Sequence, residues 1–240
     1  NEGRTLDEGA TSAITHGLLE TTDVDDPPSN LQYTVSGLSN GRVLVDGSEA
    51  TSFTQRQIND GAVQYEHNGS ETTGDSFDFT VSDAQGASTA QATFSITINP
   101  VNDPPTITTT IGAQSVEEDN TLGPVSFTVS DAETAPNKLS LSGGTNNPDV
   151  VPADSISFSD PGPSGNASIT VDPVPDSNGT ATLTVTVEDP DGATSEQSFD
   201  LTVTPINDAP VIATNEPLPT RKGALRTIEP QDIRTTDVES

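Results

Sequence analysis

Acidic and amide side chains are the residues here with chemistry to offer. The chain has 240 residues, with 37 Asp+Glu against 8 Lys+Arg and a net charge of −29. Many of these acids fall in turn-like contexts: Asn102-Asp103 and Asn207-Asp208, Asp83-Ala-Gln-Gly86, Asp131-Ala-Glu133 and Asp189-Pro-Asp191-Gly192. Carboxylates and Asn carbonyls that converge on one point repel strongly unless a hard cation sits among them. Calcium takes six to eight such oxygens at about 2.3–2.6 Å. The same residue types are also ordinary turn formers that leave their acids in water. Asp176-Ser-Asn-Gly179 is only a fragment of a twelve-position EF-hand loop.

Other chemistries find less support. Cysteine is absent, which removes thiol nucleophiles, thiolate zinc sites and disulfides. His16 and His67 are the only imidazoles. Paired carboxylates for glycoside hydrolysis are available anywhere in so acidic a chain, but no Trp is present to form a sugar platform. No Gly-rich phosphate cradle with a following Lys occurs. The reading is a non-enzyme. A charge of −29 argues against binding a nucleic-acid backbone or an anionic membrane surface. No apolar run of 18 residues exists to span a bilayer, and no secretion signal opens the segment.

Strands must position these acids. Only 30% of residues are hydrophobic, a share that would suggest disorder were it not for its pattern. Phe77–Ser82, Ala92–Ile98, Ala181–Val187 and Phe199–Val203 alternate apolar with polar residues at period two. That alternation describes strands with one wet face, and β-branched Thr suits the exposed positions. Turn clusters divide the runs about every 8–12 residues, the spacing of all-β sandwiches. No window long enough to matter shows helical periodicity.

An internal repeat sets the organisation. Pro100-Val-Asn-Asp-Pro-Pro105 recurs as Pro205-Ile-Asn-Asp-Ala-Pro210, each after an alternating strand. Thr21-Thr-Asp-Val24 recurs as Thr235-Thr-Asp-Val238, and Ile14 matches Ile228. A fixed period of this length means a linear array of units. We expect residues 1–103 to be a repeat lacking its first strand, 104–208 a complete repeat, and 209–240 the N-terminal strands of a third.

The first repeat resembles a known family. Phe53-Thr-Gln-Arg-Gln-Ile58, Asp60-Gly-Ala-Val-Gln-Tyr-Glu-His-Asn-Gly-Ser-Glu71 and Asp75-Ser-Phe-Asp-Phe-Thr-Val-Ser-Asp83 are similar to the chondroitin-sulphate-proteoglycan-type repeat. That family is cadherin-like in fold and recurs in very large bacterial surface proteins. The second repeat lacks these segments and resembles the broader cadherin-like tandem repeats that end in an Asn-Asp-Ala-Pro linker. The resemblance implies all-β, tandem cadherin/immunoglobulin-like Greek-key sandwiches in a linear array. It places His67 in a structural strand segment.

The cadherin pattern, in which a strand-A acid, an Asn-Asp linker and an acidic loop share ions, implies the calcium ligands. At one junction these are Glu8, Asn102, Asp103, Asp131, Glu133, Asp189 and Asp191. At a second they are Glu118, Asn207, Asp208, Asp237 and Glu239, with Lys222 standing where Glu8 would be. Asp23, Asp25 and Asp83 would serve a junction with a preceding repeat. The implied function is a calcium-rigidified structural or adhesive segment of an extracellular or cell-surface protein. Its implied partners are like molecules, neighbouring repeats, or surface and matrix polysaccharide or protein. Two alternatives stay open: a carbohydrate- or matrix-binding module, whose mark would be an exposed aromatic platform, and a fibre subunit that polymerises head to tail by strand complementation.

Overall fold

The computed structural model describes residues 2–215, 217, 219, 221–223, 225, 227–230 and 232–236. The chain divides into two compact units, residues 1–102 and 103–240.

The first unit carries strands β1 (Arg4–Asp7), β2 (Thr11–Ala13), β3 (Gln32–Ser36), β4 (Gly41–Val45), β5 (Ser48–Glu49) and β6 (Ser52–Thr54). A short helix, α1 (Gln55–Asn59), and strands β7 (Val63–His67), β8 (Gly74–Ser82) and β9 (Ala92–Asn99) complete it. One sheet runs β1-β9-β8-β3-β6 and the other β2-β7-β4-β5. β1 pairs parallel with β9, whereas the remaining ladders are antiparallel. The period-two runs do what their pattern demands. Phe77, Phe79 and Val81 of β8 and Phe94, Ile96 and Ile98 of β9 turn into the core from neighbouring strands of one sheet, and the polar residues between them are half-buried or exposed. Tyr33 stacks on Phe53 and Phe77 on Phe94, both with centroids 5.0 Å apart. Such pairs add to what burial of their area alone contributes.

Helix α1 is a single capped turn, too short for periodicity to reveal. Thr54 Oγ1 accepts the N–H of Gln57 at 3.2 Å, and Gln57 Oε1 accepts the N–H of Thr54 at 2.8 Å. This reciprocal capping box starts the turn. Burial of Gln55 and Ile58 then holds it against the sandwich.

The second unit is built from β10 (Thr106–Ile107), β11 (Gln114–Glu117), β12 (Leu122–Ser130), β13 (Ser140–Thr145) and β14 (Ile156–Phe158). β15 (Asn166–Val171), β16 (Gly179–Glu188) and β17 (Thr194–Thr204) follow. Its sheets run β10-β12-β15-β14 and β11-β17-β16-β13. The parallel pairing of β11 with β17 repeats that of β1 with β9. β10 pairs antiparallel with β12; among the described residues of the first unit, β2 has no strand on its outer side. On β16, Ala181, Leu183, Val185 and Val187 point inward, and Thr182, Thr184 and Thr186 line the other face. β18 (Val211–Asn215) and β19 (Ile233–Thr236) pair with each other in a separate two-stranded sheet.

Both tyrosines are fully buried, Tyr33 and Tyr65 at 0% exposure. The tyrosines therefore supply no exposed platform for a sugar ring.

Candidate metal centre

Four of the expected ligands share one local geometry. Asp23 Oδ1 accepts the N–H groups of Asp25 and Asp26 at 2.8 and 3.0 Å. Asp83 Oδ1 accepts those of Gln85 and Ala87, both at 2.9 Å. Asp131 Oδ1 accepts those of Glu133 and Thr134 at 3.0 and 2.6 Å, and Asp189 Oδ1 those of Asp191 and Ala193, both at 2.9 Å. Each aspartate thus caps its own turn with one oxygen, the Asx geometry that favours Asp in turns. The turn-forming and ligand roles are compatible, because a carboxylate has a second oxygen. Oδ2 of Asp131 is buried with no hydrogen-bond partner.

In the second unit, the carboxylate oxygens of Asp119, Asp176 and Asp208 lie within 4.8 Å of one another. The turn after β11 supplies Asp119, the turn before β16 supplies Asp176, and the segment after β17 supplies Asp208. Asp119 (φ 63°) and Asp176 (φ 54°) both adopt the left-handed conformation, which Asp tolerates better than most residues. The Asp176 N–H donates to Asp119 Oδ1 at 3.0 Å, so the two turns are bonded directly. Glu118 lies beside them at 2% exposure. Its Oε1 accepts the N–H of Ile206 at 2.8 Å, and its Oε2 accepts Nδ2 of Asn178 at 3.4 Å.

Of the ligands expected here, the structure brings Asp208 into the acid triad and places Glu118 beside it as a buried organiser. Asn207 is exposed and donates from Nδ2 to the Asp208 carbonyl at 2.9 Å. Asp237 and Glu239 lie outside the described residues. Sequence reasoning missed Asp119 and Asp176 as ligands. The signals were Asp119 next to Glu118, and the Asp176-Ser-Asn-Gly179 turn.

The remaining expected residues divide between the units. Asp103 is exposed, donates its N–H to Glu133 Oε2 at 3.5 Å, and lines a cleft with Asp131. Asp189 is buried, and Asp191 and Glu133 are exposed. Asn102, also exposed, ends the first unit. There, Glu8 and Glu71 bring carboxylate oxygens within 4.8 Å of each other, and both Glu8 oxygens are buried with no hydrogen-bond partner. Glu71 escaped the sequence reading. Asp23 and Asp83 line one cleft, and Asp25 is exposed. Among the described residues these three take part in no group of three converging acids.

The donors that converge are carboxylate oxygens. Buried carboxylate oxygens without a hydrogen-bond partner are costly unless something satisfies them. The fit is to a hard divalent cation, not to zinc or copper, which favour nitrogen and sulfur.

Comparison with known proteins agrees with this architecture. Residues 1–98 match the family described as Cadherin-like, and residues 102–202 match the family described as Bacterial Ig domain. The chain is 40% identical over 91 residues to Chondroitin sulfate proteoglycan 4 of Homo sapiens, covering 37% of this chain and 4% of that protein. It is 36% identical over 108 residues to the human Extracellular matrix organizing protein FRAS1, covering 43% of this chain and 3% of that protein. The chain therefore spans only a few per cent of the length of the curated relatives it matches. Among solved structures, human CDH23 EC21-23 is 16% identical, with a TM-score of 0.48 over 98% of this chain and 82% of that one. Both matched families are non-catalytic structural domains typical of extracellular and surface proteins, and no described helix is long and apolar enough to cross a membrane. Residues 1–98 are thus similar to the Cadherin-like family, and residues 102–202 to the Bacterial Ig domain family.

Proposed function

We infer that the chain is a calcium-binding, non-catalytic segment of an extracellular adhesin or fibre, built to stiffen when the ion binds. The observation that carries this reading is the convergence of Asp119, Asp176 and Asp208, three acids from three separate segments of the second unit. The buried, unpartnered oxygens of Glu8 and Asp131 support it. Asp119, Asp176 and Asp208 would hold one ion, with Glu118 fixing the turn geometry from beneath. A bound cation supplies charge neutralisation and cross-linking of segments, and no reaction follows.

The energetics suit a chain without disulfides. Extracellular modules bind calcium with Kd of roughly 10⁻⁴–10⁻³ M. At millimolar calcium, an ion that binds only the folded state contributes about 0.5–1.5 kcal/mol per independent site. It also offsets the self-repulsion of a −29 chain. The reading places the protein outside the cell, where calcium reaches that concentration. Residues 209–240 fit the opening strands of a third repeat: Val211 and Ile212 of β18 remain 63% and 62% exposed while β18 pairs with β19. Partners would be further repeats, like molecules or surface and matrix components.

Calorimetric calcium titration of the 240-residue chain tests this reading. We expect millimolar-range binding that weakens when Asp119, Asp176 and Asp208 are changed together to Asn. Equal heats for the parent and the triple variant would count against the triad as a site.

A further inference from the structure

His67 ends strand β7 with 3% of its surface exposed. Its ring is fully engaged. The N–H groups of Gly9 and Gly69 point at Nδ1 from 3.2 and 3.3 Å, and Nε2 lies 3.1 Å from Thr72 Oγ1. A ring nitrogen that accepts from two backbone donors carries no proton. The neutral imidazole therefore holds its hydrogen on Nε2 and donates it to Thr72. The His67 N–H also donates to the Ala10 carbonyl at 3.0 Å.

The partners matter more than the ring. Gly9 directly follows Glu8, and Thr72 directly follows Glu71. Gly9 (φ 66°) and Gly69 (φ 76°) are both in the left-handed conformation, which lets the two loops present their N–H groups to one atom. Two loops some sixty residues apart in sequence thus meet on a single imidazole. They carry acids whose carboxylate oxygens lie within 4.8 Å of one another.

We propose that His67 is the positioning residue of the Glu8–Glu71 pair. Its unprotonated Nδ1 clasps the Gly9 and Gly69 loops, and the clasp sets the geometry in which the two acids receive a divalent cation. His67 itself does not touch the ion. The cation part rests on the calcium reading above, whereas the clasp stands on hydrogen bonds alone.

The 240-residue chain allows both parts to be tested. Long-range ¹⁵N–¹H spectra should show His67 with its proton on Nε2; a proton on Nδ1 would overturn the clasp. His67→Asn sets an amide oxygen near the place of Nδ1, whereas His67→Gln sets it near that of Nε2. In chelator, His67→Gln should raise hydrogen exchange at Gly9 and Gly69 by about ten-fold or more while core amides such as Phe94 stay protected. His67→Asn should stay within about three-fold of the parent at both glycines. With calcium, His67→Gln should weaken binding about 10–100-fold, the usual effect of losing a residue that orients a ligand. It should weaken it no further when Glu8 is already Gln, because coupled residues are non-additive. Equal exchange at Gly9 and Gly69 in the parent and His67→Gln would overturn the clasp. Additive losses with Glu8→Gln would overturn the positioning of the acid pair. If the parent binds no calcium, the metal reading and the cation part fall together, and the chelator exchange still decides the clasp.

Discussion

Oε1 of Glu118 accepts the backbone N–H of Ile206 at 2.8 Å, tying the end of β11 to the segment that leaves β17. This buried carboxylate anchors the chain just before Asn207 and Asp208. Glu118→Ala leaves that N–H without its acceptor and Asn178 without its partner, and should cost about 1–3 kcal/mol. Glu118→Gln keeps an acceptor and should cost less than half as much. Urea unfolding of both variants in chelator checks this ordering.

Asp131 separates turn formation from metal binding. Its Oδ1 caps the turn, and its Oδ2 is buried and lacks a hydrogen-bond partner. Asn preserves the capping oxygen, so in chelator Asp131→Asn should unfold within about 0.5 kcal/mol of the parent, whereas Asp131→Ala should lose about 1 kcal/mol or more. With calcium present, Asp131→Asn should gain less Tm than the parent gains. An equal gain would remove Asp131 from the ligand set.

Alkaline stability follows from the two tyrosines. Burial pushes the Tyr33 phenol above its ordinary value of 10.0, against a smaller opposing effect of its hydrogen bond to Thr21. Burial also raises Tyr65, reinforced by its hydrogen bond to Asp75 Oδ2 at 2.8 Å. The folded state keeps both phenols protonated to higher pH than the unfolded chain does. Their contribution is therefore complete below about pH 10 and declines above it as the unfolded chain ionises. Unfolding free energy should fall from pH 10 to 11.5, and Tyr33→Phe should flatten part of that slope.

Close packing at Tyr65 gives a further check. A Cβ at Gly41 would collide with the Tyr65 ring and the Glu66 carbonyl oxygen. Gly41→Ala should cost about 1–3 kcal/mol, the range for overpacking a filled site. Thermal unfolding measures it. Gly47, at φ 77° with open space around it, gives the complementary case, in which Gly47→Ala strains the backbone without a clash.

The fold was legible where the physics is periodic. Period-two runs such as Phe77–Ser82 and Ala181–Val187 became the central strands because one-face burial writes itself into alternation. Helix α1 was not legible, since five residues carry no period; only the Thr54–Gln57 capping spacing marked it. Asp23, Asp83, Asp131 and Asp189 stood out because turns select Asp at their first position. Glu71 and Asp119 did not, and Asp176 read only as part of an incomplete EF-hand loop, because each converges with another acid only through tertiary pairing. His67 was assigned a structural role, but its grip on Gly9 depends on a contact 58 residues away in sequence.

The most direct test is thermal unfolding of the 240-residue chain in excess chelator, then with calcium or magnesium restored. The account requires a clearly lower Tm in chelator, recovered by millimolar calcium and not by magnesium. The same Tm in all three conditions would contradict it, leaving the acids as a solvated surface on two β-sandwiches.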